Sequence, residues 1–168
     1  MKLVFDATLL IYFSKMKILD KVTKLKGEKI IPSGVYFEVV DRGKIKGKDD
    51  ALFVEKLVSE GLFSVESPET EDVKYFLELP RVRKGDAETL ALAGRKNAVA
   101  IIDESNLRTI AEANKIEHRG SIFILFEMYR QKIINKKDIR KYLDEMIRLG
   151  WRCSTELYAS VLTKIGEL

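Results

Sequence analysis

Four carboxylates stand out in this 168-residue chain: Asp6, Glu38, Asp86 and Asp103. Asp6 and Asp103 each end a short apolar run, Lys2–Phe5 and Ala98–Ile102. Asp86 follows Gly85 at the start of a segment with helical spacing. Glu38 lies about one and a half turns into a helix opened by Pro32-Ser33, among Val35, Tyr36, Phe37, Val39 and Val40. Each acid has a plain structural use, since an Asp before a helix caps free N–H groups for roughly 0.5–2 kcal/mol. Convergence would change the chemistry. Two carboxylates about 4 Å apart repel by on the order of 4 kcal/mol at an effective dielectric near 20. Three or four together would consume much of the roughly 5–15 kcal/mol that holds a domain folded. Such a cluster persists only with shared protons or with a cation among the acids. An all-oxygen donor set without His or Cys suits Mg²⁺ or Mn²⁺, ions that activate water against a phosphodiester.

The elements that must position these acids are legible as periodicities. Lys2–Phe5, Glu28–Ile31, Leu62–Val65 and Ala98–Ile102 read as short buried strands. Helical spacing marks Asp49–Ser59, Asp86–Arg95, Asn106–Asn114, Ile122–Arg130, Lys137–Leu149 and Glu156–Lys164. Ala87, Leu90, Ala91 and Ala93 form a small-residue face able to lie close against a sheet. Strands alternating with helices predict a three-layer α/β/α fold with a central, mainly parallel β-sheet. In such sheets ligands bind beyond the carboxyl ends of the strands, where Asp6 and Asp103 fall. No repeat or linker divides the chain, so residues 1–168 are expected to form one domain, with a helical C-terminal portion from about Ile133. Asp41–Lys48 reads as a basic loop.

Composition narrows the function classes. Hydrophobic residues make up 46% and charged residues 33%, which excludes intrinsic disorder. The longest stretches without a charged residue, Ala7–Ser14 and Ile30–Phe37, are far below the roughly 18 residues of a membrane span. Asp6 interrupts the first apolar run and no cleavage site follows, so no secretory signal is read and a cytoplasmic location is expected. Cys153 is the only cysteine, which removes internal disulfides and Cys-based zinc sites. A formal charge of +4 is compatible with a polyanionic partner.

Several segments, taken in order, resemble the PIN domain family of metal-dependent nucleases. They are Val4-Phe5-Asp6-Ala7-Thr8-Leu9-Leu10-Ile11, then Glu38 within Pro32-Ser33-Gly34-Val35-Tyr36-Phe37-Glu38-Val39-Val40, then Gly85-Asp86-Ala87-Glu88-Thr89-Leu90-Ala91-Leu92-Ala93. Ala100-Ile101-Ile102-Asp103-Glu104, Arg108 and Ala111, and finally Gly120-Ser121 complete the order, and the tail resembles a largely uncharacterised prokaryotic branch. The resemblance implies a ribonuclease in which Asp6, Glu38, Asp86 and Asp103 are catalytic, with Mg²⁺ or Mn²⁺ held by Asp6, Asp86 and Asp103. Thr8, Glu88, Glu104 and Ser121 would support them; Glu104 and Glu88 depart from the usual family pattern. Many prokaryotic relatives are toxins of toxin–antitoxin pairs, so the resemblance also implies RNA and a small antitoxin protein as partners. Homodimers are common in the family, and nothing in the sequence supports or opposes one. The alternative is a catalytically weak or inactive PIN-like module that binds RNA or protein.

Other reactive residues read as structural. His118, the only histidine, sits among charged neighbours as a loop or strand-end residue, Cys153 as a packing residue, and Trp151 as an anchor for the last helix. Two basic clusters remain. Arg81, Arg83 and Lys84 adjoin Asp86 and are candidates for holding an RNA backbone. Arg42, Lys44, Lys46 and Lys48 form the other.

Overall fold

The structure, a computed structural model, describes residues 1–168. Five strands form one parallel sheet in the order β3-β2-β1-β4-β5. They are β1 (Lys2–Phe5), β2 (Glu28–Pro32), β3 (Ser64–Glu66), β4 (Val99–Ile101) and β5 (His118–Arg119). Leu3 pairs with Lys29 on one side and with Val99 on the other, so β1 is central. Period-two alternation then divides the interior. Leu3, Phe5, Ile31, Val99 and Ile101 face one layer, and Val4, Ile30, Ala100 and Ile102 the other.

The first layer holds α1 (Ala7–Lys15), α2 (Leu19–Thr23), α5 (Asp49–Ser59), α9 (Ser121–Arg130), α10 (Lys136–Arg148) and α11 (Thr155–Gly166). The second holds α6 (Thr70–Leu77), α7 (Lys84–Lys96) and α8 (Ser105–Ala113). The expected three-layer α/β/α architecture is therefore present. Ala87, Leu90, Ala91 and Ala93 of α7 are buried in the second layer, where small side chains permit the close approach their spacing predicts. Along α10, Ile139, Tyr142, Leu143 and Met146 recur at helical spacing and are all buried. No helix is long and apolar enough to cross a membrane.

After β2 the helix expected from Pro32-Ser33 is present and runs on into the segment expected as a basic loop, Asp41–Lys48. It is a helical run of α3 (Ser33–Tyr36), a π-helical stretch (Phe37–Asp41) and α4 (Arg42–Ile45). Gly43 is buried where a Cβ would stand 2.8 Å from Ala51 Cβ, and Lys44 pairs with Glu55 at 2.8 Å. Packing against α5 thus overrides the polar, glycine-containing sequence. Sequence periodicity also missed α2 and α6, each under nine residues, and the two-residue β5, which is too short to alternate.

The chain leaves β1 towards β2 on one side and returns to β4 on the other. The helices after β1 and β4 pack on opposite faces, opening a crevice between the two strand ends.

Candidate functional site

Asp6 stands at that crevice, where its backbone N–H extends the sheet to Ile101 O at 3.2 Å. Its residue is 5% exposed, and Oδ1 accepts the N–H groups of Thr8 and Leu9 at 3.1 and 3.5 Å. The capping use and the site use therefore coincide. Burial pushes the Asp6 carboxyl well above the usual carboxylate range, and the charges of Asp103 and Asp86 push the same way. The two backbone N–H groups oppose them.

Asp103, beyond β4, is held by three donors. Oδ1 accepts the Ser121 N–H at 2.7 Å, while Oδ2 accepts the Ser121 hydroxyl at 2.6 Å and the Trp151 indole N–H at 3.1 Å. Asp103 does not cap α8, whose cap position is Glu104. Ser121 is fully buried at the start of α9. Its neighbour Gly120 is required by close approach, since a Cβ there would lie 2.8 Å from Asp103 Oδ1.

Trp151 reaches the site because α10 ends in a left-handed turn. Gly150 adopts φ +102°, its N–H bonds Ile147 O at 2.9 Å, and the Trp151 N–H bonds Met146 O at 2.9 Å. This reversal returns a buried indole to the strand ends, so Trp151 is both the expected anchor and a donor to Asp103.

Asp86 is the third residue of α7 and not its cap. It is 8% exposed, and Oδ2 accepts the Arg83 N–H at 3.0 Å. The Arg83 guanidinium lies 3.5 Å from Asp86 and 4.0 Å from Glu38, which is half-buried in the π-helical stretch. Asp86 above all, then Glu38 and Glu104, raises the Arg83 pKa. Its side chain is 72% exposed, and ion pairs so wet and so long contribute about 0–1 kcal/mol.

Glu88 is committed elsewhere. Buried to 4% exposure, it accepts the Gly34 N–H and the Ser33 hydroxyl, joining α7 to the N-terminus of α3. Gly34 leaves it room, because a Cβ would stand 2.8 Å from Glu88 Oε2. Glu88 therefore fixes the helical run that carries Glu38. Lys84 lies 4.0 Å from Glu88, and Arg81 is exposed with φ +58°.

The structure thus brings Asp6, Asp86 and Asp103 near enough for their charges to interact, and joins Glu38 to Asp86 through Arg83. No three acids form a ready ligand cluster. No protein donor reaches Asp6 Oδ2 or Asp86 Oδ1, so each keeps an oxygen for another partner. Thr8 and Glu104 line, with Asp103 and Trp151, a cleft of about 1030 Å³ extending to Arg152 and Cys153. Burial raises the Cys153 thiol pKa, which opposes nucleophilic use. His118 lies on β5, its Nε2 3.5 Å from Glu112.

Sequence reasoning missed two roles. Arg83 read only as a candidate for holding an RNA backbone, and the structure also sets it beside two acids. Trp151 read as an anchor for the last helix and not as a hydrogen-bond donor to Asp103, although an indole after a helix-ending Leu149-Gly150 signals a chain reversal.

A family model described as PIN domain matches residues 2–167. No curated protein matches the chain.

Proposed function

Because the chain belongs to the PIN domain family, we propose that it is a metal-dependent endoribonuclease whose site is the crevice around Asp6. PIN domains are generally nucleases and typically use divalent metals. The observation that carries the reading is Asp6, a buried acid at the switch point whose charge is opposed by burial, Asp103 and Asp86. A fold tolerates that arrangement where a cation is to be bound.

The donor chemistry suits a hard divalent ion, which would have to draw the acids together, since no three of them form a ready ligand cluster. Asp6 and Asp86 each have an oxygen without a protein donor, and every candidate ligand is a carboxylate. Asp6, Asp86 and Asp103 would hold Mg²⁺ or Mn²⁺, with Glu38 as a further ligand or as the group that orients the attacking water. When bound, the ion would acidify water and stabilise charge on the phosphoryl oxygens.

The protein's own contribution is orientation. Ser121 and Trp151 keep the Asp103 carboxylate in one rotamer, the start of α1 keeps Asp6 in one, and Glu88 holds the run bearing Glu38. Thr8 and Glu104 border the approach to Asp103. Arg83 supplies the neutralising charge between Asp86 and Glu38. With Arg81 and Lys84 it would meet substrate phosphates. A toxin role, with a small antitoxin covering the crevice in the cytoplasm, accords with this reading.

The test is cleavage of end-labelled structured and single-stranded RNAs by wild type and by Asp6→Asn/Asp86→Asn, with Mn²⁺ and with a chelator. Metal-dependent cutting by wild type alone supports the nuclease. Cutting by both proteins overturns the residue assignment. RNA binding without cutting by either favours the non-catalytic RNA-binding module.

A further inference from the structure

The second basic cluster is split by the fold. Lys44 is taken by Glu55 on α5, at 2.8 Å. Arg42, Lys46 and Lys48 are exposed and make no ion pair within 4.0 Å. Together with Arg83 they line a groove of about 280 Å³, and Glu38 lies in the same groove. Glu38 and Arg42 lie on the helical run and Lys46 directly follows α4, so this stretch carries the groove away from the acidic site. Four cations face two carboxylates, Glu38 and Asp50.

We propose that this groove binds the sugar–phosphate backbone of single-stranded RNA beside the scissile bond, through Arg42, Lys46 and Lys48, with Arg83 as the link to the acids. The assignment rests on the ribonuclease reading above and adds to it the path by which substrate enters. Flexible cations without aromatic platforms hold phosphates irrespective of base, so binding is sequence-tolerant and sensitive to salt. Arg83 bonds loosely to Asp86 and Glu38, and a phosphate entering the groove competes for its guanidinium.

The test measures binding without catalysis. A fluorescent 12-nucleotide single-stranded RNA is titrated with protein in chelator at several salt concentrations, reading anisotropy. Lys46→Ala/Lys48→Ala is compared with Lys136→Ala/Lys137→Ala, which removes equal charge at the start of α10. That helix begins beyond the amino ends of the strands, opposite the acidic crevice, because α9 starts at Ser121 beside Asp103 and is followed by Gln131, whose side-chain oxygen accepts the Lys26 N–H before β2. Single-strand binding loses about 0.7 in the slope of log K against log salt per phosphate contact. The groove variant should therefore flatten the slope by about 1.4, and the α10 variant should leave it unchanged. Equal flattening in both variants, no change in either, or no binding by wild type would overturn the groove. So would a groove pair that mattered for poly-glutamate and not for RNA, which would indicate an acidic protein as occupant. The two readings separate cleanly. Metal-dependent cutting with an unaltered slope removes the groove alone, and a flattened slope without any cutting removes the nuclease alone.

Discussion

Replacing Asp6 by Asn and Asp103 by Asn should have different effects on stability, although both remove one negative charge from one crevice. Either substitution abolishes the Asp6–Asp103 repulsion, so that term cancels in the comparison. What remains is set by local partners. Asn retains an oxygen for the Thr8 and Leu9 N–H groups, and Asn and Asp are comparable helix caps. Asp6→Asn also relieves the burial of a charge and its repulsion by Asp86; in general a like charge about 8 Å away repels by on the order of 2 kcal/mol at a dielectric near 20. Asp103→Asn weakens three charge-assisted bonds and sets an amide or a neutral oxygen against the Trp151 indole N–H. Hydrogen bonds to charged groups contribute about 1.5–3 kcal/mol each, and neutral ones about half that. The two variants should differ by about 3 kcal/mol, or roughly 6–12 °C in Tm for a chain of this size, with Asp6→Asn the more stable. The assay is calorimetric melting in chelator at pH 7. The Asp6 pKa is raised in the fold, so its ionisation costs stability as pH climbs from the ordinary carboxylate range through the folded pKa. The gain from Asp6→Asn should accordingly be present at pH 7 and fade towards about pH 4. Equal Tm shifts for the two variants, or a more stable Asp103→Asn, would refute the reasoning.

Other expectations concern the groups around the acids. Trp151→Phe fills most of the same space without the indole N–H, and should lower Tm by roughly 4–8 °C, from about 2 kcal/mol of lost bond and packing. It should also weaken Mn²⁺ binding severalfold by calorimetric titration; unchanged affinity would show that the indole does not set the Asp103 rotamer. Gly150→Ala places a side chain at φ +102° and should reproduce both effects without touching the indole. Arg83→Ala frees Asp86 and Glu38 and should tighten Mn²⁺ binding severalfold while weakening RNA, and looser Mn²⁺ binding would mean that Arg83 supports the site instead of competing for it. Glu88→Ala orphans the Gly34 N–H and should destabilise the protein by about 1–3 kcal/mol, read by urea unfolding, with Mn²⁺ affinity of the folded protein within twofold of wild type. A tenfold loss there would make Glu88 a ligand.

Much of the architecture was written locally. Alternating apolar residues in Lys2–Phe5 and Glu28–Ile31, with small residues along α7, are enough to require a sheet covered on both faces. An aspartate directly after β1 and another just beyond β4 necessarily fall at the carboxyl edge of that sheet. The positions of Asp6 and Asp103 thus follow from chain order alone. Their partners do not. Trp151 lies 48 residues from Asp103, and Glu88 lies 54 from Gly34. Contacts at such separations leave no periodicity in a single sequence, because they depend on how α7, α9 and α10 dock. The same docking decided that Arg83 turns to Asp86 and Glu38, that Lys44 is consumed by α5, and that a segment rich in lysine and glycine becomes α4. Residue type declares which groups are able to bind a metal or a phosphate; only packed neighbours decide which of those groups are already satisfied and which are left with an open valence.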